Sequence, residues 1–244
     1  MLTIVLYEPI GEGDAAAKAV LGALSKAKPD EAIIVAINSP GGSVFEGEAI
    51  FNALKRHKGR VTARVDGLAA SAASYIMCAA DEIIFAPGAH AMIHSPMASM
   101  VYANQDEMRS IIDKLEVMER QYGRVYAQRT GQDEAKVREW MKAETWFTAE
   151  QALQAGFADR IDETVPMAAV IPGDFVRLGY RHVPVAVKAL NDPTAAAAKI
   201  EAQKIEAAKP APTAAELAEA EAKRLRRQRQ RRRMALLAEM RPGL

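Results

Sequence analysis

Residues 60–78, "RVTARVDGLAASAASYIMC", join a strand-like segment to a run of small residues. The first seven, "RVTARVD", are typical of a β-strand, and the apolar run after Ser71 is typical of a helix. Gly67 predicts a strand-to-helix turn between them. Ser71 would then lie near a helix N-terminus, where the helix dipole favours negative charge. The small residues equally suit a tightly packed helix, so this stretch alone leaves a structural and a chemical role open.

The segments on both sides alternate between strand-like and helix-like patterns. Short β-branched or apolar runs occur at 2–7, 32–38, 60–66, 82–86 and 90–95, and helix-like segments at 14–27 and 44–57. Further helices are predicted at 104–129, where apolar residues form one stripe, and at 133–143 and 148–155. This alternation predicts an α/β fold whose central strands are covered on both faces.

The chain divides into three parts by composition. Residues 1–165 carry the α/β pattern, and 193–244 are rich in Ala, Glu, Lys and Arg. Such a tail has too few large apolar residues for a core of its own, so we expect it to be helical or disordered. Residues 166–192 are expected to be an irregular connection. They contain several residues that interrupt regular structure: Pro166, Pro172, Gly173 and Pro184.

Charge is distributed unevenly between these parts. The net charge is +1, yet residues 193–244 hold 12 Lys and Arg against 6 Asp and Glu. An acidic body therefore carries a basic tail. Lys223–Arg233 holds eight basic residues and no acidic one, which favours contact with an acidic partner or DNA. A solvated helix is the alternative.

Composition also bears on the cellular compartment. Cys78 is the single cysteine, so an intramolecular disulfide is excluded. The sequence has no apolar run long enough for a membrane span, and its first residues lack the basic region of a signal peptide. We therefore expect a cytoplasmic protein without membrane contact.

Two further motifs could carry chemistry. In "NSPGGSV" (38–44) a buried strand ends, Gly41 and Gly42 follow, and a helix begins. Backbone N–H groups at such a junction can hold a developing oxyanion, although a plain strand-to-helix turn looks the same. In "MIHSP" (92–96), His94 ends an apolar strand. A structural role is common for such a histidine, but the others are worse placed for chemistry: His57, His90 and His182.

Four motifs together resemble the ClpP family of serine peptidases. They are "INSPGGSV", "GLAASAAS", "MIHSP" and "ETWFTAEQALQAGFADRI", in family order, and the resemblance covers residues 2–163. It implies the α/β ClpP/crotonase-like fold, with repeated β-β-α and βαβ units, a long handle helix and, in this chain, a low-complexity C-terminal tail. It also implies a serine endopeptidase that forms a homo-oligomer, expected to be a ring, and needs neither a metal nor another cofactor.

The resemblance implies roles by position. Ser71 matches the nucleophile, and His94 matches the general base. The oxyanion hole would come from the backbone N–H groups of Gly42 and Ala72. Ser74 has no counterpart in the family's site, so we expect it to pack the helix.

The third member of the triad departs from the family pattern. Where the family has an aspartate, this chain has Glu144, and a glutamate can also orient a histidine. Asp159 is the fallback. A solvated charge at a helix end is the structural alternative for Glu144.

Three functions remain open. The sequence looks closest to the ClpP-like head maturation proteases of tailed phages, which cut scaffold and capsid proteins without ATP; such an enzyme would work in the host cytoplasm or inside the prohead. The second is a bacterial ClpP-like subunit that serves an ATP-dependent unfoldase. Because the chain begins almost at the first strand, an ATPase partner is doubtful. The third, remote possibility is a crotonase-fold enzyme acting on acyl-CoA.

Overall fold

A seven-stranded sheet is central to the structure, a computed structural model that describes residues 1–165 and 174–191. The strands are β1 (Leu2–Leu6), β2 (Ile33–Ser39), β3 (Val61–Ala70), β4 (Glu82–Phe85), β5 (His90–Ile93), β6 (Thr145–Thr148) and β7 (Arg160–Ile161). The helices are α1 (Ala17–Leu24), α2 (Val44–Arg56), α3 (Ala72–Met77), α4 (Gln105–Thr130), α5 (Glu134–Lys142), α6 (Ala149–Ala155) and α7 (Val185–Leu190). The predicted α/β class is confirmed.

Strand β3 has a special place in the sheet because β2 pairs along one of its edges, while the other edge is divided between two strands. The parallel order is β1-β2-β3-β4-β7, with the first half of β3 against β4. The second half, from Leu68 to Ala70, pairs in parallel with β5, and β5 pairs antiparallel with β6. The carboxyl ends of β3 and β5 therefore lie side by side, and the residues that follow them are neighbours in space.

The central strands are buried on both faces, as their continuous apolar runs predict. On β2, the adjacent residues Val35 and Ala36 are each 1% exposed. Successive residues of a strand point to opposite faces, so both faces of the sheet must be covered. Apolar side chains of α2 and α3, such as Ile50 and Ile76, are fully buried in the same core.

The long helix α4 lies within one residue of its predicted bounds. It begins with a capping box at Asn104, whose side chain accepts from the N–H groups of Asp106 and Glu107. Tyr122, in its second half, stacks on Tyr75 of α3 with the ring centroids 4.0 Å apart. The apolar stripe of the first half is different, since two of its side chains, Met108 and Ile112, are exposed.

The turn predicted at Gly67 is wrong. Strand β3 continues through Gly67 to Ala70, and the chain turns at Ser71 instead. The strand continues because Leu68, Ala69 and Ala70 have partners in β5, which the local pattern does not reveal. Ser71 therefore stands at the junction of strand and helix rather than inside a helix.

The region predicted as an irregular connection contains an ordered segment. Within it, residues 174–191 include α7, which begins directly after Pro184. Proline is well tolerated at the start of a helix, so Pro184 precedes a helix here and does not interrupt one. The segment packs four apolar side chains against Leu68, Ala70 and Met92: Phe175, Val183, Val187 and Leu190. The predictions for residues 193–244, including Lys223–Arg233, lie outside the described residues.

None of the helices in the described residues is both long and apolar enough to cross a membrane.

Candidate active site

Ser71 and His94 form a hydrogen-bonded pair at the carboxyl ends of β3 and β5. The distance between Ser71 Oγ and His94 Nε2 is 2.8 Å. The Ser71 backbone N–H donates to the carbonyl of Met92 at 2.9 Å, which fixes the two strand ends relative to one another. The pairing of the two strands thus brings together two side chains that are 23 residues apart in the chain.

Ser71 adopts a backbone conformation that is unusual for its residue type. Its φ is +52° and its ψ is −121°. A residue with a Cβ at positive φ carries strain of about 1–3 kcal/mol, and such strain is common where a side chain must be presented for chemistry. The Ser71 N–H and its carbonyl, which accepts from the N–H of Tyr75, both hold this conformation. The sharp strand-to-helix turn resembles the nucleophile elbow of other serine hydrolases.

The His94 ring is buried, and this decides its protonation state. Burial lowers the pKa of His94 to about 4, against an opposing effect of the nearby Glu144 charge, while Arg181 lowers it further. The imidazole is therefore neutral near pH 7. A neutral Nε2 can accept the hydroxyl proton of Ser71, as a general base must.

Two glycines bring a backbone loop against Ser71. Gly41 has a φ of +91°, and a Cβ there would lie 2.7 Å from the Cβ of Ser71. The loop is held by the N–H of Ile10, which donates to the Gly41 carbonyl, and by the N–H of Ser43, which donates to the Ile10 carbonyl. Only a residue without a side chain allows this close approach.

The N–H groups of Gly42 and Ala72 are available to a ligand. Ala72 is the first residue of α3, where the N–H has no acceptor inside the helix. Neither N–H donates to a backbone or side-chain acceptor within residues 1–165 and 174–191. Gly42 lines the same cavity as Ser71 and His94. Two free donors beside a nucleophile can stabilise negative charge on a carbonyl oxygen.

The Glu144 carboxylate is buried, with 2% of its side chain exposed, and is surrounded by donors. Oε1 accepts from the backbone N–H of His182 at 2.7 Å and of Arg181 at 2.8 Å, and from the indole N–H of Trp146 at 3.3 Å. Burial alone would raise the pKa of Glu144, but the N–H donors of His182 and Arg181 and the Trp146 indole together lower it below its ordinary value. The carboxylate is therefore ionised.

Glu144 acts on His94 through its charge. Among the described residues, the hydrogen bonds of its carboxylate come from Trp146, Arg181 and His182 and not from His94. Its negative charge nevertheless works against the effect of burial on the pKa of His94. The structure thus places an ionised carboxylate beside the pair without a direct hydrogen bond to the imidazole.

Asp159 is not part of this arrangement. Its Oδ2 accepts from the N–H of Ile83 and from the guanidinium of Arg129, each at 2.7 Å. These contacts belong to the edge of the sheet, where Asp159 directly precedes β7. Of the two carboxylates considered from the sequence, the structure brings Glu144 to His94 and not Asp159.

Ser74 has a packing role, as expected. Its hydroxyl donates to the Ser71 carbonyl at 2.7 Å and lies 2.8 Å from the hydroxyl of Tyr126 on α4. Both contacts join α3 to its surroundings, and the side chain is fully buried.

The segment 174–191 supplies site residues that the sequence analysis missed. The Tyr180 ring lies edge-on to the His94 ring, with centroids 5.3 Å apart, and its hydroxyl donates to the carbonyl of Pro40. Arg181 and His182 act on Glu144 through their backbone N–H groups. A backbone N–H donor cannot be recognised from the residue type, because every residue except proline has one. The signal that points to this segment is its apolar residues, although the prolines around them are typical of an irregular connection.

A cavity of about 230 Å³ opens beside the pair. Ser71 and His94 lie on its wall together with mostly apolar neighbours: Val44, Pro96, Met97, Tyr122, Leu178 and Tyr180. The described residues contain no group of three or more His, Cys, Asp or Glu that could hold a metal ion. The arrangement combines a serine hydroxyl, a neutral imidazole, an ionised carboxylate and a cavity with two N–H groups that have no acceptor among the described residues, and this combination is suited to acyl transfer.

Comparison with known proteins agrees with this chemistry. The sequence model of the Clp protease family matches residues 2–165. The chain is 37% identical over 137 residues to ATP-dependent Clp protease proteolytic subunit 1 of Protochlamydia amoebophila, covering 54% of this chain and 66% of that protein. It is 34% identical over 167 residues to the protein of the same name from Chlamydia muridarum, covering 65% of this chain and 84% of that protein.

Proposed function

This chain belongs to the Clp protease family of serine peptidases, and on that premise we propose that it hydrolyses peptide bonds with Ser71 as nucleophile and His94 as general base. The observation that carries the proposal is the hydrogen bond of 2.8 Å between Ser71 Oγ and His94 Nε2. A serine hydroxyl becomes a good nucleophile when a neutral imidazole takes its proton.

In the proposed reaction, Ser71 Oγ attacks the carbonyl carbon of the substrate while His94 Nε2 takes the hydroxyl proton. The carbonyl oxygen gains negative charge, which the N–H groups of Gly42 and Ala72 stabilise. The imidazolium then gives its proton to the leaving amine as the C–N bond breaks. A water molecule, activated by the same imidazole, hydrolyses the ester on Ser71 and restores the enzyme.

Glu144 is the proposed third member of the triad. When His94 becomes an imidazolium, the ionised carboxylate beside it stabilises the new positive charge. This matters because burial holds the pKa of His94 down to about 4, so protonation of the ring is otherwise unfavourable. The donors from Arg181 and His182 keep the carboxylate ionised and fixed in place.

For the substrates, we propose the scaffold and capsid proteins of a phage prohead, cut without ATP. The support is the sequence resemblance carried by "SPGGSVFEGEAI" and "ETWFTAEQALQAGFAD". The second candidate is a subunit that works with an ATP-dependent unfoldase. It is favoured by the names of the relatives, which are proteolytic subunits of ATP-dependent proteases.

The proposal includes a homo-oligomer, with a ring as the expected form. Helix α4 exposes Met108 and Ile112, which lie one turn apart on the same face and are 51% and 56% exposed in the single chain. Exposed apolar side chains on one helix are typical of a surface that packs against another protein.

One experiment tests the activity and separates the two substrate classes. A folded protein and an unfolded one are offered to the purified enzyme without ATP, and a parallel reaction contains a serine-directed fluorophosphonate that inhibits and labels the enzyme. We expect ATP-independent cleavage, label on Ser71, and a loss of on the order of 10⁴–10⁶-fold in Ser71→Ala. Ser74→Ala is the matched control and should retain most of the activity, since the Ser74 hydroxyl contacts the Ser71 carbonyl and the Tyr126 hydroxyl. Cleavage by the Ser71 variant, or label on Ser74, would contradict the assignment.

A further inference from the structure

The His94 ring lacks the hydrogen bond that fixes the histidine in a Ser-His-Asp triad. In such a triad the carboxylate accepts from the imidazole Nδ1 and holds the ring in place. Glu144 does not do so, because its hydrogen bonds come from the Trp146 indole and from backbone N–H groups of the segment 174–191. Within the described residues, the imidazole has one hydrogen bond, with the Ser71 hydroxyl. Another contact is therefore needed to keep Nε2 directed at this hydroxyl.

Tyr180 supplies a contact of this kind. Its ring lies nearly perpendicular to the His94 ring, with an angle of 83° between the planes and 5.3 Å between the centroids. This edge-on arrangement is a favourable one for two aromatic rings. A large ring packed against the imidazole also takes up the space into which the imidazole would rotate. The contact thus limits the ring of the proposed base to one orientation.

Tyr180 is itself held firmly, which a positioning group requires. Its ring stacks on Phe175 with 26° between the planes and lies edge-on to Trp146, and both centroids are 6.1 Å away. Its backbone N–H donates to the Phe175 carbonyl at 3.0 Å. The N–H groups of the next two residues donate to Glu144. Both the side chain and the backbone of Tyr180 are therefore fixed relative to His94.

The hydroxyl of Tyr180 is bound to a second part of the site. It donates to the Pro40 carbonyl, and burial raises the pKa of Tyr180 although the Ser71 hydroxyl acts in the opposite direction, so the hydroxyl is protonated. The Pro40 carbonyl and the Gly41 N–H belong to one planar peptide group. That N–H donates to the Ser39 hydroxyl at 3.2 Å. This peptide group is thus held at both of its ends.

The next peptide group carries the N–H of Gly42, one of the two proposed oxyanion donors. Its carbonyl, that of Gly41, accepts from the N–H of Ile10 at 2.8 Å. Gly41 and Gly42 have φ values of +91° and +150°, and glycine allows a peptide group to rotate at little cost. The direction of the Gly42 N–H therefore depends on the bonds that hold its neighbours. One of these bonds is that from Tyr180 to Pro40.

We propose, on the basis of the peptidase function proposed above, that Tyr180 is a positioning residue for two groups at once. Its ring holds the imidazole of His94, and its hydroxyl holds the loop that presents the Gly42 N–H. The base and the oxyanion donor act in the same step, the attack of Ser71 on the substrate carbonyl. A fixed distance between them favours the geometry of that step.

Tyr180→Phe tests the hydroxyl, because it removes the bond to Pro40 and keeps the ring against His94. With labelled, unfolded casein as substrate, we expect kcat to fall by about tenfold and KM to stay within about twofold, since the Gly42 N–H acts mainly in the transition state. The acid limb of the pH profile should not move, because the His94 ring remains covered.

Tyr180→Ala tests the ring as well. We expect kcat to fall by about 100-fold, because the imidazole loses its orientation in addition. Burial is the main cause of the low pKa of His94, about 4, so removal of the covering ring should raise it. The acid limb should move up by about one pH unit or more. The two charged groups that act on His94, Glu144 and Arg181, are present in both variants. Phenylalanine should thus restore the wild-type pH profile but not the full kcat.

Val187→Ala is the matched control for a loss of packing in the same segment. Val187 is fully buried in the apolar cluster over β3 and β5. The change should lower the melting temperature and leave kcat and the acid limb close to those of the wild type. Wild-type kcat in Tyr180→Phe, an unmoved acid limb in Tyr180→Ala, or an equal loss of activity in Val187→Ala would overturn the inference and leave the peptidase function standing. If the wild-type enzyme neither cleaves casein nor takes the fluorophosphonate label on Ser71, both proposals fail.

Discussion

The proposed catalytic pair and the carboxylate beside it are held by two different kinds of structure. Ser71 and His94 follow neighbouring parallel strands, and their relative position is set by backbone hydrogen bonds such as that from Ser71 to Met92. Glu144 instead receives its two backbone donors from Arg181 and His182, in a segment beyond the part of the chain that matches the family. The position of the proposed nucleophile thus depends on the sheet, whereas the ionised state of the Glu144 carboxylate depends on a segment that is docked on that sheet.

The docked segment is anchored by apolar packing. Phe175, Val183, Val187 and Leu190 are buried against side chains of β3 and β5. Burying a side chain of this size contributes about 1.5–3 kcal/mol. Since the anchors bury their surface on the same two strands that precede Ser71 and His94, the segment has a defined position relative to the pair.

The first prediction is that the Glu144 carboxylate contributes to catalysis through its negative charge. Glu144→Gln keeps the shape but removes the negative charge that stabilises the imidazolium. We expect kcat to fall by on the order of 10²–10³-fold. Peptide hydrolysis under saturating substrate measures this loss.

Asp159→Asn is the control for that prediction. Asp159 lies at the sheet edge and pairs with Arg129, so the change should alter kcat by less than about threefold. If the two variants lost similar activity, or the Asp159 variant lost more, Glu144 would not be the third member.

The second prediction concerns the docked segment. Arg181→Pro removes the backbone N–H that donates to both oxygens of Glu144, and we expect kcat/KM to fall by about tenfold. Arg181→Ala keeps this N–H and removes an exposed guanidinium that lies 3.8 Å from Glu144 Oε2, a long and solvent-screened ion pair, so its activity should change by less than about threefold. Melting curves of both variants show whether the segment remains docked. Equal activity of the two variants, with equal melting temperatures, would mean that this N–H has no part in the reaction.

The smallest predicted effect is that of mild acid. The pKa of His94 is lowered to about 4, so the folded protein keeps the ring neutral where an ordinary histidine gains a proton. Activity should therefore be lost only as the pH falls through about 4. Between pH 7 and pH 5, kcat/KM should fall by less than about twofold, whereas a base with an ordinary pKa would lose about 25-fold.

The same pKa difference gives the sign for stability. The unfolded chain takes up a proton on His94 as the pH falls below about 6.5, and the folded chain does so only near 4. The stability due to the neutral buried ring is present above about pH 6.5 and is lost as the pH falls toward 4. Urea unfolding at several pH values, compared with activity at the same pH, separates loss of the base from loss of the fold. An acid limb near 6.5 in a fully folded enzyme would contradict the assigned environment of His94.

Much of the fold was predictable, because hydrophobic periodicity and local end signals determine the longer elements. Helix α4 shows this well, since its apolar stripe and the Asn104 cap both lie in the local sequence. The continuation of β3 past Gly67 was not predictable, because it depends on pairing with β5. Strand β6 was missed for the same reason, as it is stabilised by antiparallel pairing with β5.

In the site, too, some residues can be predicted from local motifs and others only from the folded structure. The serine, the histidine and the two glycines come from motifs whose residue types are needed for their chemistry, and the structure brings them together. The contributions of Arg181 and His182 could not be predicted, because a backbone N–H is common to nearly every residue. Tyr180 was missed because contact with His94 requires the segment to fold back over the strand ends.

Arg181 and His182 follow the Ser71–His94 pair by many residues in the chain, and this has a consequence for the order of folding. Proteins are synthesised from the N-terminus, and their early regions fold while later ones are still being made. Strands β3 and β5 can pair as soon as residue 94 has emerged, whereas the donors to Glu144 appear only after residue 182. A nascent chain that already has its proposed nucleophile and base therefore still lacks the groups that fix the Glu144 carboxylate. On the proposed mechanism, full hydrolytic competence requires that the chain has been made beyond residue 182.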